Sequence, residues 1–387
     1  MASDDQYRLS DTGTEADPLR LVVVTHYFPS HGGGVELVAQ QLCDGFNHEG
    51  IRVEWISSDT DRPPPDRAQT TYTTVASCNL IERLTDLPFP LWPPKSLGKL
   101  LRAISTSHVV HIHELAYVPN IFGLLFARLK GKKIVVTQHT GPITFRNRSL
   151  TALYRTYIRT SMLFARLMSA RLVFVSDNSR RFFHLQDRSH LIFNGVDTDI
   201  FRPVTPQVRD ELRKEFNFEP QRKIVLFVGR LVRKKGLPIV EALVGLYPEI
   251  AWVIVGSGPI SPHHWTKSNV LTFEHLPHRE LVKLYQASDL LILPSDTEGF
   301  PLVVQEALCC GLGVLSTTEV ATACPPASAL IRACQTRATS EPAEKWSDAL
   351  AATLEDNGYI EGRTERAQLA HALWSWRGCV QSYLTLF

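Results

Sequence analysis

At 387 residues, with 44% apolar and 21% charged residues, the chain is too long for one ordinary domain and suits two cores that share a cleft. A formal net charge of +2 is too small to mark a nucleic-acid binder, and no run approaches the ~18 consecutive apolar residues that a spanning helix needs. Seven cysteines without CxxC spacing argue against a zinc site or disulfide framework and for a reducing cytosol.

The first twenty residues carry Asp4, Asp5, Asp11, Glu15 and Asp17 and lack an apolar core, so residues 1–19 are expected to be a disordered tail and not a secretory signal. Leu21 to Thr25 then reads as a buried strand, His31-Gly32-Gly33-Gly34 as a turn, and Val35, Val38, Leu42 and Phe46 as one face of a helix. Further strands are predicted at 53–56, 109–112, 134–137, 172–175 and 191–193, with helical segments between most of them. Residues 197–222 turn polar, with Pro203, Pro206 and Pro220, and read as a linker carrying a short helix. Alternation resumes with strands at 224–228, 252–255, 270–273, 290–293 and 314–316. The pattern predicts an α/β fold: two doubly wound Rossmann-like domains, 20–196 and 223–362, facing across a cleft. Residues 363–387 are helical in pattern and rich in aromatics, and are expected to cross back to the N-terminal domain.

Ligands of such sheets bind beyond the carboxyl ends of the strands, and the loops there carry the chemistry. After Val228 comes Gly229-Arg230-Leu231-Val232-Arg233-Lys234-Lys235-Gly236, a basic turn before an apolar helix. It suits a phosphate or diphosphate, with a solvated basic turn as the alternative. Glycines 32 to 34 let a backbone approach a ligand closely, although they make no GxGxxG fingerprint. Gln138-His139-Thr140-Gly141 places an imidazole at the cleft rim, in a catalytic or a structural role. In DLLILPSDTEGFPLVVQEALCCG a helix predicted from Leu302 leaves Glu298 at its mouth and Glu306 about one turn inside. The two acids are either holders of hydroxyls at two depths or solvated surface residues. Cys309 and Cys310 are read as packing residues.

The motifs HGGGVE, VVTQHTG, FVSDNS, FNGVDTDIF, GRLVRKKG, VGSGP and SDTEGFPLVVQEALCCG, in this order over residues 20 to 318, resemble the retaining nucleotide-sugar glycosyltransferases of family 4, the glycogen synthase and mannosyltransferase-like proteins of GT-B fold. The resemblance implies that Arg230 and Lys235 neutralise the donor diphosphate, that Glu306 holds the ribose hydroxyls, and that Glu298 and His139 contact the donor sugar. Main-chain groups at Gly229, Gly299, Phe300, Leu302 and Val303 are implied donor-binding positions, with Gly33 and Gly34 approaching the diphosphate from the other domain. It implies hexosyl transfer with retention, by front-face attack, from a UDP- or GDP-linked co-substrate without a further cofactor. No essential metal is expected, because Asp59-Thr60-Asp61 and Asp197-Thr198-Asp199 fall in a proline-rich loop and in the linker. The chain departs from the family pattern in its short segment 261–268, in Gly313 where a proline is usual, and after Thr317, where TEVATACPPASALI replaces a glycine-glycine and proline-glutamate signature.

Between Leu115 and Ser176 there are ten Lys or Arg residues and no Asp or Glu. Within this stretch Leu153 to Leu167 reads as an amphipathic helix, and Arg146, Arg148, Arg155 and Arg159 are candidates for an acceptor or anionic membrane surface, the alternative being a core-packed helix with solvated arginines. The proline-rich aromatic loop 88–95 lies nearby in sequence. The expected partners are a nucleotide-sugar donor and a glycan, lipid-linked or small-molecule acceptor, at the cytoplasmic face of the cell membrane and without nucleic acid. A nucleotide-sugar epimerase of similar architecture and a non-catalytic sugar-nucleotide binding protein are the alternatives.

Overall fold

The computed structural model describes residues 18–78, 91–141, 147–262, 265, 269–295, 299–334 and 343–387. The N-terminal half is built on β1 (Arg20–Val24), β2 (Arg52–Ser58), β3 (Thr70–Val75), β4 (Val109–His113), β5 (Lys133–Gln138), β6 (Arg171–Phe174) and β7 (His190–Leu191). They form one sheet in the order β3-β2-β1-β4-β5-β6-β7, every pairing parallel. The apolar run of β1 divides by alternation. Val22 and Val24 join Ile56, Val110, Ile112 and Val136 in one layer, while Leu21 and Val23 join Val53, Trp55, Val109 and Val135 in the other. The first layer is covered by helices Pro94–Thr106, Val118–Leu129 and Arg148–Leu167, and the second by Gly34–His48 and Trp376–Leu384.

The second half repeats the plan with β8 (Ile224–Val228), β9 (Ala251–Val255), β10 (Val270–Phe273), β11 (Leu290–Leu293), β12 (Gly313–Thr317) and β13 (Ile331–Cys334), again all parallel, in the order β10-β9-β8-β11-β12-β13. In both sheets the strand order reverses beside the first strand, between β1 and β4 and between β8 and β11. Such switch points open a crevice at the carboxyl edge. Two edge strands, β3 and β13, escape the sequence reading. Thr70–Val75 is a threonine-rich strand buried only at its ends and Ile331–Cys334 is exposed in its middle, so neither presents an apolar run.

The chain crosses between the halves twice, and the crossings lie side by side. Val196 N–H donates to the Trp374 carbonyl at 2.6 Å, and Val196 forms a parallel bridge with Ser375. A Cβ at Gly195 would meet the ring and Cα of Trp376, so only glycine fits beneath that indole. The terminal helix then packs on the first half: Cys379, Val380 and Tyr383 share a core with Leu42 and Phe46. Among the described residues no helix is long and apolar enough to cross a membrane.

The linker helix Pro206–Glu215 is fastened by charge. Buried Asp289, at the start of β11, accepts from Arg209 at 2.6 Å, from Arg213 at 2.7 Å and from the Ile224 amide at 2.8 Å. Removing one partner of such a cluster leaves buried charge without its counter-ion. Asp289→Ala is therefore expected to cost about 3–5 kcal/mol of stability, read as a lower urea midpoint. An unchanged midpoint would show the cluster to be dispensable.

Candidate active site

On the C-terminal side the site begins where β8 ends. Gly229, at φ 156°, donates its N–H to the Val255 carbonyl, and Leu231 donates to that of Ser257, which ties the basic turn to the loop after β9. The tie depends on glycines: a Cβ at Gly256 would collide with the Gly229 carbonyl, and one at Gly258 would stand 2.5 Å from the Leu231 carbonyl oxygen. Arg233–Lys235 then forms a single 3-10 turn, Gly236 turns left-handed at φ 76°, and helix Leu237–Leu246 starts with Pro238 in its first turn. Gly236 is pressed against the Pro294 carbonyl at the end of β11. Arg230 is exposed and Lys235 half-buried, so cationic side chains and a helix N-terminus stand at one edge of the sheet. That combination suits an anion.

Beyond β11, Gly299 and Phe300 lead into helix Leu302–Cys309, capped by Pro301. Phe300 is buried against Phe193 and Trp374, at centroid distances of 5.9 and 5.4 Å. Its ring is an anchor, and what it can offer a ligand is main chain. The amides of Leu302 and Val303 belong to the first turn, where helical hydrogen bonds have not begun. Glu306 is half-buried one turn in and accepts from Tyr285 Oη at 2.9 Å. Burial holds its pKa above the usual carboxylate range. The predicted sugar contact Glu298 lies outside the described residues.

The N-terminal side has more in it than the sequence reading found. Of the three glycines only Gly32 is left-handed, at φ 83°. Gly33 caps helix Gly34–His48 with ordinary backbone angles, and its missing side chain makes room for the Glu36 carboxyl, which folds back over it. Within 4 Å of a Cβ at Gly34 there is nothing. Glu36 meets His26 Nε2 at 3.2 Å, and His26 stacks on Tyr117 at 3.8 Å. Burial pushes Glu36 up to about 7 and His26 down to about 3, so this contact is a hydrogen bond to a neutral imidazole and not a salt bridge.

His139 is no lone imidazole. Its Nε2 lies 2.9 Å from His113 Nδ1 with the rings nearly parallel, and burial lowers its pKa to about 3. One neutral ring therefore donates to the other. His111 reaches Thr137 Oγ1 at 2.8 Å, which in turn meets Tyr383 Oη at 3.0 Å, linking the strand to the returning C-terminal helix. The signal for this cluster was available as His111-Ile112-His113-Glu114 at a strand end, where a period of two puts both imidazoles on one face.

The two sides touch. A Cβ on Gly299 would lie 2.8 Å from the His139 carbonyl oxygen, so the loop entering helix Leu302–Cys309 passes directly over the turn after β5. A second contact joins Asn178, which donates to the Glu319 carbonyl at 2.6 Å and accepts from Thr322 Oγ1 at 3.2 Å. Glu319 and Thr322 belong to helix Thr318–Ala323, the segment that departs from the family pattern.

Of the candidate surface residues, Arg146 lies outside the described residues. Arg148 and Arg159 are exposed and Arg155 half-buried on helix Arg148–Leu167, capped by Asn147 accepting from Ser149 and Leu150. Arg159 also stacks over Phe182 at 4.7 Å. The helix buries Thr151, Ile158, Met162 and Ala165 and exposes Leu150, Leu153, Leu163 and Leu167. One face of the helix is core, and its outer face carries leucines as well as arginines. Among the described residues no group of three or more His, Cys, Asp or Glu side chains is arranged to hold a metal ion. A cavity of about 230 Å³ beside Arg20, Arg52 and Thr106 lies at the amino ends of β1 and β2, away from this edge.

Two doubly wound parallel sheets, their carboxyl edges meeting at a basic turn, a helix N-terminus and an imidazole, define the GT-B class of fold. Residues 32–200 match the family described as Glycosyltransferase Family 4, and residues 208–370 match Glycosyl transferases group 1. The chain belongs to the glycosyltransferases composed of these two halves. It is 30% identical over 223 residues to D-inositol 3-phosphate glycosyltransferase of Mycolicibacterium smegmatis, a match covering 53% of this chain and 48% of that protein. The chain spans about half or less of the length of the curated relatives it matches. Its fold is that of sucrose-phosphate synthase from Thermosynechococcus elongatus (TM-score 0.71, 18% identity, 95% of this chain and 98% of that one). It is also that of Anabaena HepE in complex with UDP and glucose (TM-score 0.68, 14% identity, 95% and 98%).

The buried imidazoles make stability depend on pH. His26, His111 and His139, each held down to about 3, stay neutral in the fold but take up protons when unfolded below about 6.5, so they favour folding less as pH falls. Glu36 and Glu114, raised to about 7, keep protons that the unfolded chain releases above about 4.5, and act in the opposite direction. His111→Asn removes one histidine from this balance. Its unfolding free energy, from urea titrations, is expected to fall less than the parent's between pH 6.5 and 4, by up to about 1.4 kcal/mol per pH unit; parallel curves would contradict the neutral assignment.

Proposed function

We propose that the chain is a retaining hexosyltransferase that moves a sugar from a UDP- or GDP-linked donor to an acceptor hydroxyl, with no cofactor beyond that co-substrate. The observation that carries this reading is the meeting of the two carboxyl edges, where Gly299 passes over His139 and Gly236 of the basic turn lies against Pro294 at the end of β11. Arg230 and Lys235 neutralise the diphosphate as the bond from the anomeric carbon to the phosphate oxygen breaks. The acceptor oxygen bonds to that carbon on the same face, and its proton passes to the departing phosphate oxygen. Glu306, braced by Tyr285, takes the ribose hydroxyls, the Leu302 and Val303 amides and the glycines approach the diphosphate and sugar, and Glu298 and His139 contact the sugar. A buried neutral imidazole suits hydroxyl groups better than a phosphate. The UDP and glucose described with HepE support a nucleotide-linked donor.

The same reading puts the enzyme at the cytoplasmic face of the membrane, in cell-surface polysaccharide or lipid-linked glycan synthesis. Supporting it are the exposed Leu153, Leu163 and Leu167 beside Arg148, Arg155 and Arg159 on one helix, an apolar stripe bordered by cations. A relative named for D-inositol 3-phosphate supports an acceptor that is polyhydroxylated and anionic.

A screen of UDP- and GDP-sugars by nucleotide release, with and without cell-derived acceptors, tests the activity. Lys235→Ala is expected to reduce transfer about 10²–10³-fold in a folded protein. Full turnover in that variant would remove the diphosphate assignment. Donor conversion without acceptor would indicate an epimerase, and binding without turnover a non-catalytic protein.

Co-sedimentation with vesicles tests the location. Binding is expected to phosphatidylglycerol vesicles but not to phosphatidylcholine alone, with each of Arg148, Arg155 and Arg159 contributing about 1 kcal/mol at low salt. An undiminished preference for phosphatidylglycerol after all three are changed to Ala would refute the arginine contribution.

A further inference from the structure

Glu114 is the least expected residue of the N-terminal edge. It stands just past β4, is 1% exposed, and occupies the left-handed region at φ 69°, which costs an L residue on the order of 1 kcal/mol. Two hydrogen bonds hold it there: Asn120 Nδ2 donates to the carbonyls of His113 at 2.9 Å and of Glu114 at 2.6 Å. The carboxylate then works on one target, the turn after β5. Oε2 accepts the Thr140 amide at 3.0 Å and the His139 amide at 3.3 Å, while Oε1 accepts from Gln138 Nε2. Gln138 completes the clasp, since its Oε1 accepts from the Leu115 amide at 3.4 Å. Filling space does not call for a carboxyl here; accepting the His139 and Thr140 amides does. A leucine or methionine would fill the volume without the desolvation cost.

What the clasp controls is the position of His139. The ring is set from one side by His113, the backbone by Glu114, and the carbonyl of the same residue lies under Gly299 of the other half. We propose that Glu114 is a positioning residue for sugar binding: its carboxylate fixes the Gln138–Thr140 turn so that the His139 imidazole is presented to the donor sugar beneath the Gly299 loop. This rests on the donor-site reading above. On that reading Glu114 touches neither sugar nor nucleotide; Glu306 of the other half holds the ribose, and Arg230 and Lys235 of that half hold the diphosphate with the backbone of Gly33 and Gly34. Losing it therefore affects the sugar and not the nucleotide.

Titration calorimetry with UDP-glucose, GDP-mannose, UDP and GDP on the full chain tests this. For Glu114→Gln, the Kd for the sugar nucleotide is expected to weaken about tenfold, the scale of one charge-assisted hydrogen bond, while that for the free nucleoside diphosphate stays within about twofold. Gln138→Leu, which removes the other side chain of the same clasp, is expected to give the same split and carries the test if Glu114→Gln unfolds. Equal weakening of both ligands, or of neither, in a folded variant overturns the role of Glu114. A parent protein that binds none of the four overturns the donor-site reading itself.

Discussion

Backbone packed directly on backbone is the constraint on which the C-terminal side of the cleft depends. At the carboxyl ends of β8, β9 and β11, Gly256 lies against the Gly229 carbonyl, Gly258 against that of Leu231, and Gly236 against that of Pro294. A single Cβ at any of these would drive two strand ends apart. Because they are glycines, three loops close into one surface, and the charges of the basic turn sit on a rigid base. Preorganisation of this kind makes an electrostatic site effective, since charge that must reorganise to meet its ligand is worth less than charge already in place.

The opposite edge achieves rigidity by other means. There the loops are held by buried polar groups: His26 with Glu36, His113 with His139, His111 with Thr137 and Tyr383, and Glu114 with the amides after β5. Burial keeps these imidazoles neutral, so among the histidines the network is a set of directional hydrogen bonds and not of charges. The placement is chemically sensible for a site next to an anion. A wall of neutral imidazoles offers donors and acceptors of the kind that suit hydroxyl groups.

The halves are joined where both kinds of loop meet. The paired crossings at Val196 and Trp374, the Gln305 side chain donating to the Asn194 carbonyl at 2.8 Å, and the Asn178 contact with helix Thr318–Ala323 surround the Gly299 approach. The segment after Thr317 thus has an observed structural use. It folds as a short helix capped by Thr317 and followed by the 3-10 stretch Pro325–Leu330, and it touches the N-terminal half.

Much of this architecture was legible in the sequence. Apolar runs of strand length alternating with helical periodicity identify buried parallel strands without knowledge of their neighbours, because burial on both faces demands it. The helix at Leu302, the basic turn and the place of Glu306 follow from local signals in the same way. Edge strands β3 and β13 were not legible, since half-exposed strands lack the apolar run. Nor was the chemistry of the N-terminal edge. Glu36, His113 and Glu114 come from separate segments, and which polar groups are buried together is set by the sheet order β1-β4-β5. The sequence by itself determined two doubly wound sheets and the residue types at their carboxyl edges, because those depend on periodicity and composition. Only the tertiary structure decided that His139 is one of a hydrogen-bonded pair, that Phe300 is an anchor, and that Gly33 makes room for a carboxyl, because each depends on atoms brought close from distant parts of the chain.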